Sequence, residues 1–151
     1  MSTPEAPGGE TGVSWLPDGF VPWRHDSPFL RRIGPLAAAV EDDRIAGVRV
    51  ADHHVNARGG LHGGALAAIA DVVMGHATAG LADPAPSLVT VSLTVNLTAG
   101  AQLDDWLQVT ALPRRLGRRL AFADAIIECR SRLIATASGV FTVTGQKGAH
   151  G

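Results

Sequence analysis

The chain has a single cysteine, Cys129, among its 151 residues. An intrachain disulfide is therefore excluded, and a cysteine-built zinc site is left without ligands. A charge surplus is missing as well. Thirteen Lys and Arg stand against fourteen Asp and Glu, for a formal net charge of -1. That balance provides no general attraction to nucleic acid or to an anionic membrane surface, so any anion site has to be local. Residues 1–12 have neither a basic start nor an apolar core. They read as a disordered tail rather than a signal peptide or a membrane span. Internal repeats are absent, and the length fits one domain that buries roughly 70% of its unfolded surface. One cysteine and no leader suit the cytoplasm.

The scarcity of charge also marks the most informative residue. Between Arg58 and Asp83 the only charged side chain is Asp71, in the middle of the otherwise apolar run Leu66-Ala-Ala-Ile-Ala-Asp71-Val-Val-Met-Gly75. The run predicts a helix from about His62 to Gly80 with no polar face, which belongs inside a protein. A carboxylate there is costly unless a partner, water or a function compensates. Just upstream, Asn56-Ala-Arg-Gly-Gly-Leu-His62-Gly63-Gly64 ends where the helix begins. Free backbone N–H groups are thus expected about two turns from the acid, a span assigned to a small polarised group such as a thioester. Gly63 and Gly64 carry no side chain to block an acyl group from those donors. Along the helix Gly64, Ala68, Asp71, Gly75 and Thr78 form a small stripe that lets another backbone come close, while Leu66, Ile69 and Val73 form the bulky face toward a sheet.

Elsewhere, Ser27 to Ile33 predicts a short helix with Pro28 at its first position, and Arg44 to Val50 a strand. After Pro84 and Pro86, the residues Val89, Val91, Leu93, Val95 and Leu97 alternate with Thr90, Ser92, Thr94, Asn96 and Thr98, a period-two strand with one dry face. Three more strands are expected over about Trp106 to Leu112, Arg119 to Cys129 and Leu133 to Thr144. Strand, long helix, then four strands describes an α+β domain in which an antiparallel sheet curls around one central helix. The expected organisation is an irregular or short helical segment over 13–35, this domain over 36–145, and a second tail over 146–151.

These residues resemble a known family. Asn56, the His62-Gly63-Gly64 triplet, Asp71, Thr90 at the strand start and the Leu116-Gly117 to Phe122 hairpin are similar to the hotdog-fold acyl-CoA thioesterases of the phenylacetic-acid-degradation (PaaI) type, over roughly Leu36 to Thr144. The resemblance implies that the Gly63 N–H and the Asn56 amide form an oxyanion site, with Gly64 beside the acyl group. It implies that Asp71 is the general base for water or the nucleophile that forms a mixed anhydride, and that Thr90 holds the water or the acid. His62 either caps the helix or touches substrate. It further implies a homodimer or a dimer of dimers, a homotetramer, in which the Asp of one subunit faces the Asn and His-Gly-Gly loop of the other. No cofactor and no metal are implied.

The basic turn Arg114-Arg115-Leu-Gly117-Arg118-Arg119 suits phosphate recognition, because Arg binds phosphate bidentately. The family places carrier recognition near this hairpin. Arg118 and Arg119, with Arg58 as a third, are therefore the expected contacts to coenzyme A. Rival readings stand beside each assignment: a solvated basic turn, a glycine turn that serves only packing, and a structural acid at Asp71. A non-catalytic acyl-CoA-binding hotdog module is the main functional alternative, and Asp71 favours the enzyme over it. Asp71 and His76 also echo hotdog enoyl-CoA hydratases, yet in a helix the two point about 140° apart. His53, His54 and His62 match no metal template. The acyl group stays open among phenylacetyl-like, hydroxybenzoyl-like and medium-chain thioesters, with Trp15, Trp23, Trp106 and the phenylalanines as candidate pocket lining.

Overall fold

The computed structural model describes residues 15–146, with the backbone alone at Gln146. The tails expected over 1–12 and 147–151 lie outside the described residues. Gln146, read from sequence as the start of the second tail, instead ends the last strand.

The elements run β1 (Phe20–Pro22), α1 (Leu30–Ile33), β2 (Leu36–Ala39), β3 (Ile45–Arg49), α2 (Gly63–Ala79), β4 (Pro86–Leu97), β5 (Trp106–Leu116), β6 (Leu120–Cys129) and β7 (Arg132–Gln146). All seven strands form one antiparallel sheet in the order β1-β2-β3-β5-β6-β7-β4. This is the expected α+β hotdog arrangement, one long helix lying against a meander. β1 and β2 are additions to it. Leu36-Ala-Ala-Ala has weak strand propensity and is held by cross-strand pairing, with Leu36 opposite Val48. The three residues of β1 pair in turn with β2. The segment 13–35 therefore contributes an edge strand as well as the short helix α1, whose Leu30 N–H donates to the Ser27 hydroxyl at 3.1 Å.

Helix α2 buries Leu66, Ile69, Ala70, Val73, Met74, Ala77 and Thr78. These fall at three- and four-residue spacing, one stripe packed on β4, β5, β6 and β7. The bulky face is the expected one. Gly64 is exposed, and Ala68, Asp71 and Gly75 are half-buried on the other side, as the small stripe requires. Thr78 departs from that stripe: it is fully buried, and its hydroxyl returns a hydrogen bond to the Met74 carbonyl at 2.7 Å. Donation to the carbonyl one turn back lets a Thr enter a core without an orphaned polar atom. No described helix is long and apolar enough to cross a membrane.

Two strands differ from their expected course, and both differences shape the site. In β4, Thr90 pairs with Phe141 and Ser92 with Val140, so Val91 is a bulge. One extra residue reverses which side chains face the helix. Leu88, Leu93 and Val95 pack against the core, whereas Val89 and Val91 are 55% and 60% exposed. The single dry face expected for Val89 through Leu97 is therefore split at Val91, and Thr90 turns inward. In β5 the strand continues past Pro113, where a stop was expected at Leu112. A bulge between Pro113 and Arg115 accommodates the missing N–H.

Candidate active site

The start of α2 is organised by the loop before it. His54 and His62 pair, the His62 N–H donating to the His54 carbonyl at 2.7 Å, and Val55 bridges Leu61. Asn56 closes the tip: its N–H donates to the Gly60 carbonyl at 2.7 Å, and its Oδ1 accepts from the Arg58 N–H at 2.9 Å and the Gly60 N–H at 3.3 Å. Gly59, with φ of +84°, supplies the left-handed turn this tip needs. With Oδ1 occupied, Asn56 presents its NH₂ as the remaining donor, the polarity an oxyanion site requires.

His62 is the N-cap of α2. Its Nδ1 accepts from the Gly64 N–H at 2.8 Å, which answers one of the open donors of the first turn. Of the two roles expected for His62, capping is the one present in the geometry. It also engages the Gly64 donor and leaves that of Gly63, whose N–H makes no hydrogen bond among the described residues. A Cβ added at Gly63 would meet only Leu97 Cδ1, at 3.4 Å, so space is open around that donor.

Asp71 lies two turns further along. The Thr90 hydroxyl donates to its Oδ1 at 2.7 Å, across from β4. This contact exists because the Val91 bulge aims Thr90 at the helix. Asp71 is half-buried rather than enclosed, which corrects the expectation of a helix apolar on every side: the acid faces a groove of about 370 Å³. Trp23, Leu30, Val72, Gly75, Leu88 and Phe141 give that groove apolar walls. Of the aromatic candidates, Trp23 and Phe141 line it. Trp106 does not: its ring sits over Gly47, between Phe20 and Arg49, and a Cβ at Gly47 would fall 2.0 Å from it.

The acid and the open donor are too far apart within one chain. Eight residues of helix span about 12 Å at ~1.5 Å per residue, whereas reacting atoms must approach to about 3–3.5 Å. The expectation that one thioester bridges this stretch of a single helix is thereby corrected. Asp71 with Thr90 and Gly63 with Asn56 are two separate clusters along one helix.

The basic hairpin keeps three of its four arginines outside ion pairs among the described residues. Arg114 is bound to Asp124 at 2.8 Å, which, with the Ser138 hydroxyl, holds the Asp124 carboxyl below its usual range. Arg115, Arg118 and Arg119 line a surface cavity of about 720 Å³ with Gly117, Leu120 and Phe122. A second depression, lined by Arg115, Arg118, Pro84 and Pro86, adjoins it, and Pro86 also lines the Asp71 groove. Pro86 thus stands between the Arg115–Arg118 depression and the Asp71 groove. Arg58 is exposed at the tip of the Asn56 loop.

His53 and His54 are committed elsewhere, at the end of α1. His53 Nε2 bonds the Gly34 carbonyl at 2.7 Å, and His54 bonds the Ile33 carbonyl through Nε2 while Nδ1 accepts from the Ala51 N–H at 3.0 Å. Burial pushes the His54 pKa down, against the opposing pull of the Ile33 carbonyl. His76 stacks on His25 and Trp23 while Asp71 bonds Thr90, so the two do not form the acid–base pair of a hydratase.

Sequence reading named Trp23 and the phenylalanines as candidate lining without choosing among them, and it missed His25 and Leu30. Phe141 carried a further signal, its inward position in a period-two strand, whereas nothing local marked His25 or Leu30. The Trp23 indole N–H is buried without an acceptor, which costs roughly 1–3 kcal/mol.

A model of the thioesterase superfamily matches residues 58–135. This stretch includes Gly63, Asp71, Thr90, Arg118 and Arg119, and leaves Trp23, Asn56 and Phe141 outside. A Pseudomonas aeruginosa protein named as a candidate esterase is 38% identical over 128 residues, covering 83% of this chain and 96% of its own length. A Streptococcus pneumoniae protein described as a hypothetical thioesterase, solved with coenzyme A, superposes with a TM-score of 0.63 at 26% identity over 68% of this chain and 82% of its own. The PaaI protein of the E. coli phenylacetic acid degradation operon shares the fold at a TM-score of 0.62 and 20% identity, over 74% of this chain and 75% of its own.

Proposed function

We propose that this chain, which belongs to the thioesterase superfamily, hydrolyses the thioester of an acyl-coenzyme A to free acid and CoA. The observation that carries the proposal is the Thr90–Asp71 hydrogen bond at 2.7 Å, facing an apolar groove. Thr90 occupies Oδ1 and fixes the carboxylate plane, and Oδ2 is left to act. As general base, Asp71 takes a proton from water while the water oxygen attacks the thioester carbon; the tetrahedral intermediate then expels the CoA sulfur, which recovers the proton. As nucleophile, Oδ2 attacks the same carbon, releases CoA and leaves a mixed anhydride for water to open.

Either route needs donors where the carbonyl oxygen becomes negative. The Gly63 N–H and the Asn56 amide are suited to that task by polarity and by the positive end of α2. Because they lie about 12 Å from Asp71 along their own helix, the proposal places them opposite the Asp71 of a second copy. The open edge of the sheet supports such a pairing. β4 has no neighbour on its outer side, and Val89, Val91 and Leu97 are exposed along it. An uncovered apolar edge strand favours association, so we place the active form as a homodimer or a dimer of dimers. Arg118 and Arg119, with Arg58 from the donor loop, hold the phosphates of the carrier.

Asp71→Asn tests the proposal. It keeps size and an acceptor for Thr90 and removes both base and nucleophile, so kcat should fall by on the order of 10²-fold or more. KM should change little, and the melting temperature should stay level or rise. In a non-catalytic acyl-CoA-binding module the same change lowers the melting temperature, leaves affinity intact and finds no turnover to abolish. CoA release and melting on the same preparations separate the two.

A further inference from the structure

Three rings line the Asp71 groove and a second cavity at once. Trp23, His25 and His76 border the groove of about 370 Å³, and the same three border a neighbouring cavity of about 380 Å³. The rings touch one another: His25 and His76 have centroids 4.2 Å apart, Trp23 and His76 4.8 Å, Trp23 and His25 5.8 Å. They come from two parts of the chain, since Trp23 and His25 follow β1 and His76 lies on α2. Beyond them the second cavity is walled largely by small or apolar side chains, among them Val21, Ala38, Ala39 and Val40. Without the rings the groove would continue into that space.

We propose that the Trp23–His25–His76 stack is the end wall of the acyl site and sets the longest acyl group the enzyme accepts. Trp23 is the principal element, because it is the largest of the three and packs against the core. Its indole N–H has no acceptor, so packing alone holds the ring in place, and its removal breaks no hydrogen bond. Trp23 and His25 lie outside the stretch matched to the superfamily, and His76 lies within it. The acyl chain is then measured from Asp71 to the rings, and the second cavity is reserve volume on the far side. This inference rests on the thioesterase reading for its substrate, and the experiment keeps the two apart.

Hydrolysis of acetyl-, butyryl-, hexanoyl-, octanoyl-, decanoyl- and lauroyl-CoA is measured for the wild type, Trp23→Phe, Trp23→Ala and His25→Ala. Binding of the same series is measured by calorimetry in an Asp71→Asn background. Each methylene newly buried is worth about fourfold in kcat/KM or affinity. Trp23→Ala should therefore raise the longest substrates relative to hexanoyl-CoA by about tenfold or more. Trp23→Phe should keep the wild-type profile. His25→Ala, at an exposed position whose loss does not threaten folding, should shift the profile the same way by a smaller factor. An unchanged length preference in both alanine variants, with the wild type active, overturns the wall and leaves the thioesterase reading intact. A wild type that hydrolyses none of the series removes straight-chain acyl-CoA as its substrate, and the binding series then decides the wall by the same shift. Failure to bind any of the series overturns the wall as a gauge of acyl length.

Discussion

The start and the middle of the same helix are suited to opposite charges. At its start, His62 caps Gly64, Asn56 orders the loop, and the Gly63 N–H stays open. The groups left open there, the Gly63 N–H and the Asn56 amide NH₂, are donors. Two turns on, Asp71 is held by Thr90 beside apolar walls, and the group that matters accepts. For the proposed thioesterase, donors without an acid at the helix start and an acid without an oxyanion donor at its middle leave each half chemically incomplete. On the proposed reading, a second copy supplies the missing half by bringing the start of one long helix to the middle of the other.

The sharpest way to break this comparison is to disable the donor end alone. Gly63→Pro removes one N–H and nothing else that the helix needs: proline is favoured at the first helical position, His62 already has the extended ψ of 128° that a residue before proline adopts, and only Leu97 is near. Loss of one oxyanion donor should lower kcat by on the order of 10²–10³-fold, with circular dichroism and melting unchanged. A comparable kcat for this variant and the wild type would take the donor role away from Gly63.

A second prediction asks where the carrier lies. Arg118 lines the depression that shares Pro86 with the Asp71 groove, and Arg119 lines the cavity beside it. Replacing both by Ala should raise KM by on the order of 10–100-fold with little change in kcat, since charge-assisted phosphate contacts are common to ground and transition states. Higher salt should weaken wild-type binding in the same direction. An unaltered KM would move the carrier site off this hairpin.

Thr90→Val loosens the acid end without removing the acid. One hydrogen bond to a charged group corresponds to roughly tenfold in kcat, and KM should hold steady in steady-state assays. A loss as large as that of Asp71→Asn would instead make Thr90 a direct participant.

The smallest effect is on stability. His54 carries the carbonyl that accepts from His62, so it supports the donor end. Its pKa is lowered in the fold by burial, so the unfolded chain takes up the proton first. The stabilisation is complete above the unfolded value near 6.5 and is lost as pH falls below it toward the folded value. Melting temperatures taken from about pH 8 to about pH 5 should decline more steeply in the wild type than in His54→Asn, which keeps an acceptor for Ala51 but does not titrate.

Much of this was legible in the sequence because a lone charge in an apolar run is a strong local signal. Asp71, the helix from His62, the glycines at its start and the strand meander all follow from patterns within a few residues. What was not legible depends on partners far along the chain. β1 and β2 exist by pairing rather than by propensity. Nothing in Val91 announces a bulge, yet the bulge turns Thr90 toward Asp71. Thr78 reads as part of the small stripe until its hydroxyl finds Met74. The ring wall joins residue 23 to residue 76, and no periodicity links those positions.

Subunit complementation tests the shared site most directly. Asp71→Asn and Gly63→Pro chains, each nearly inactive alone, are mixed in equal amounts and allowed to exchange subunits. In a two-fold dimer each mixed pair contains one site with both halves intact, so the mixture should regain about a quarter of wild-type CoA release. A mixture no more active than the mean of its two components, with exchange verified by mass spectrometry, would contradict a site divided between two chains.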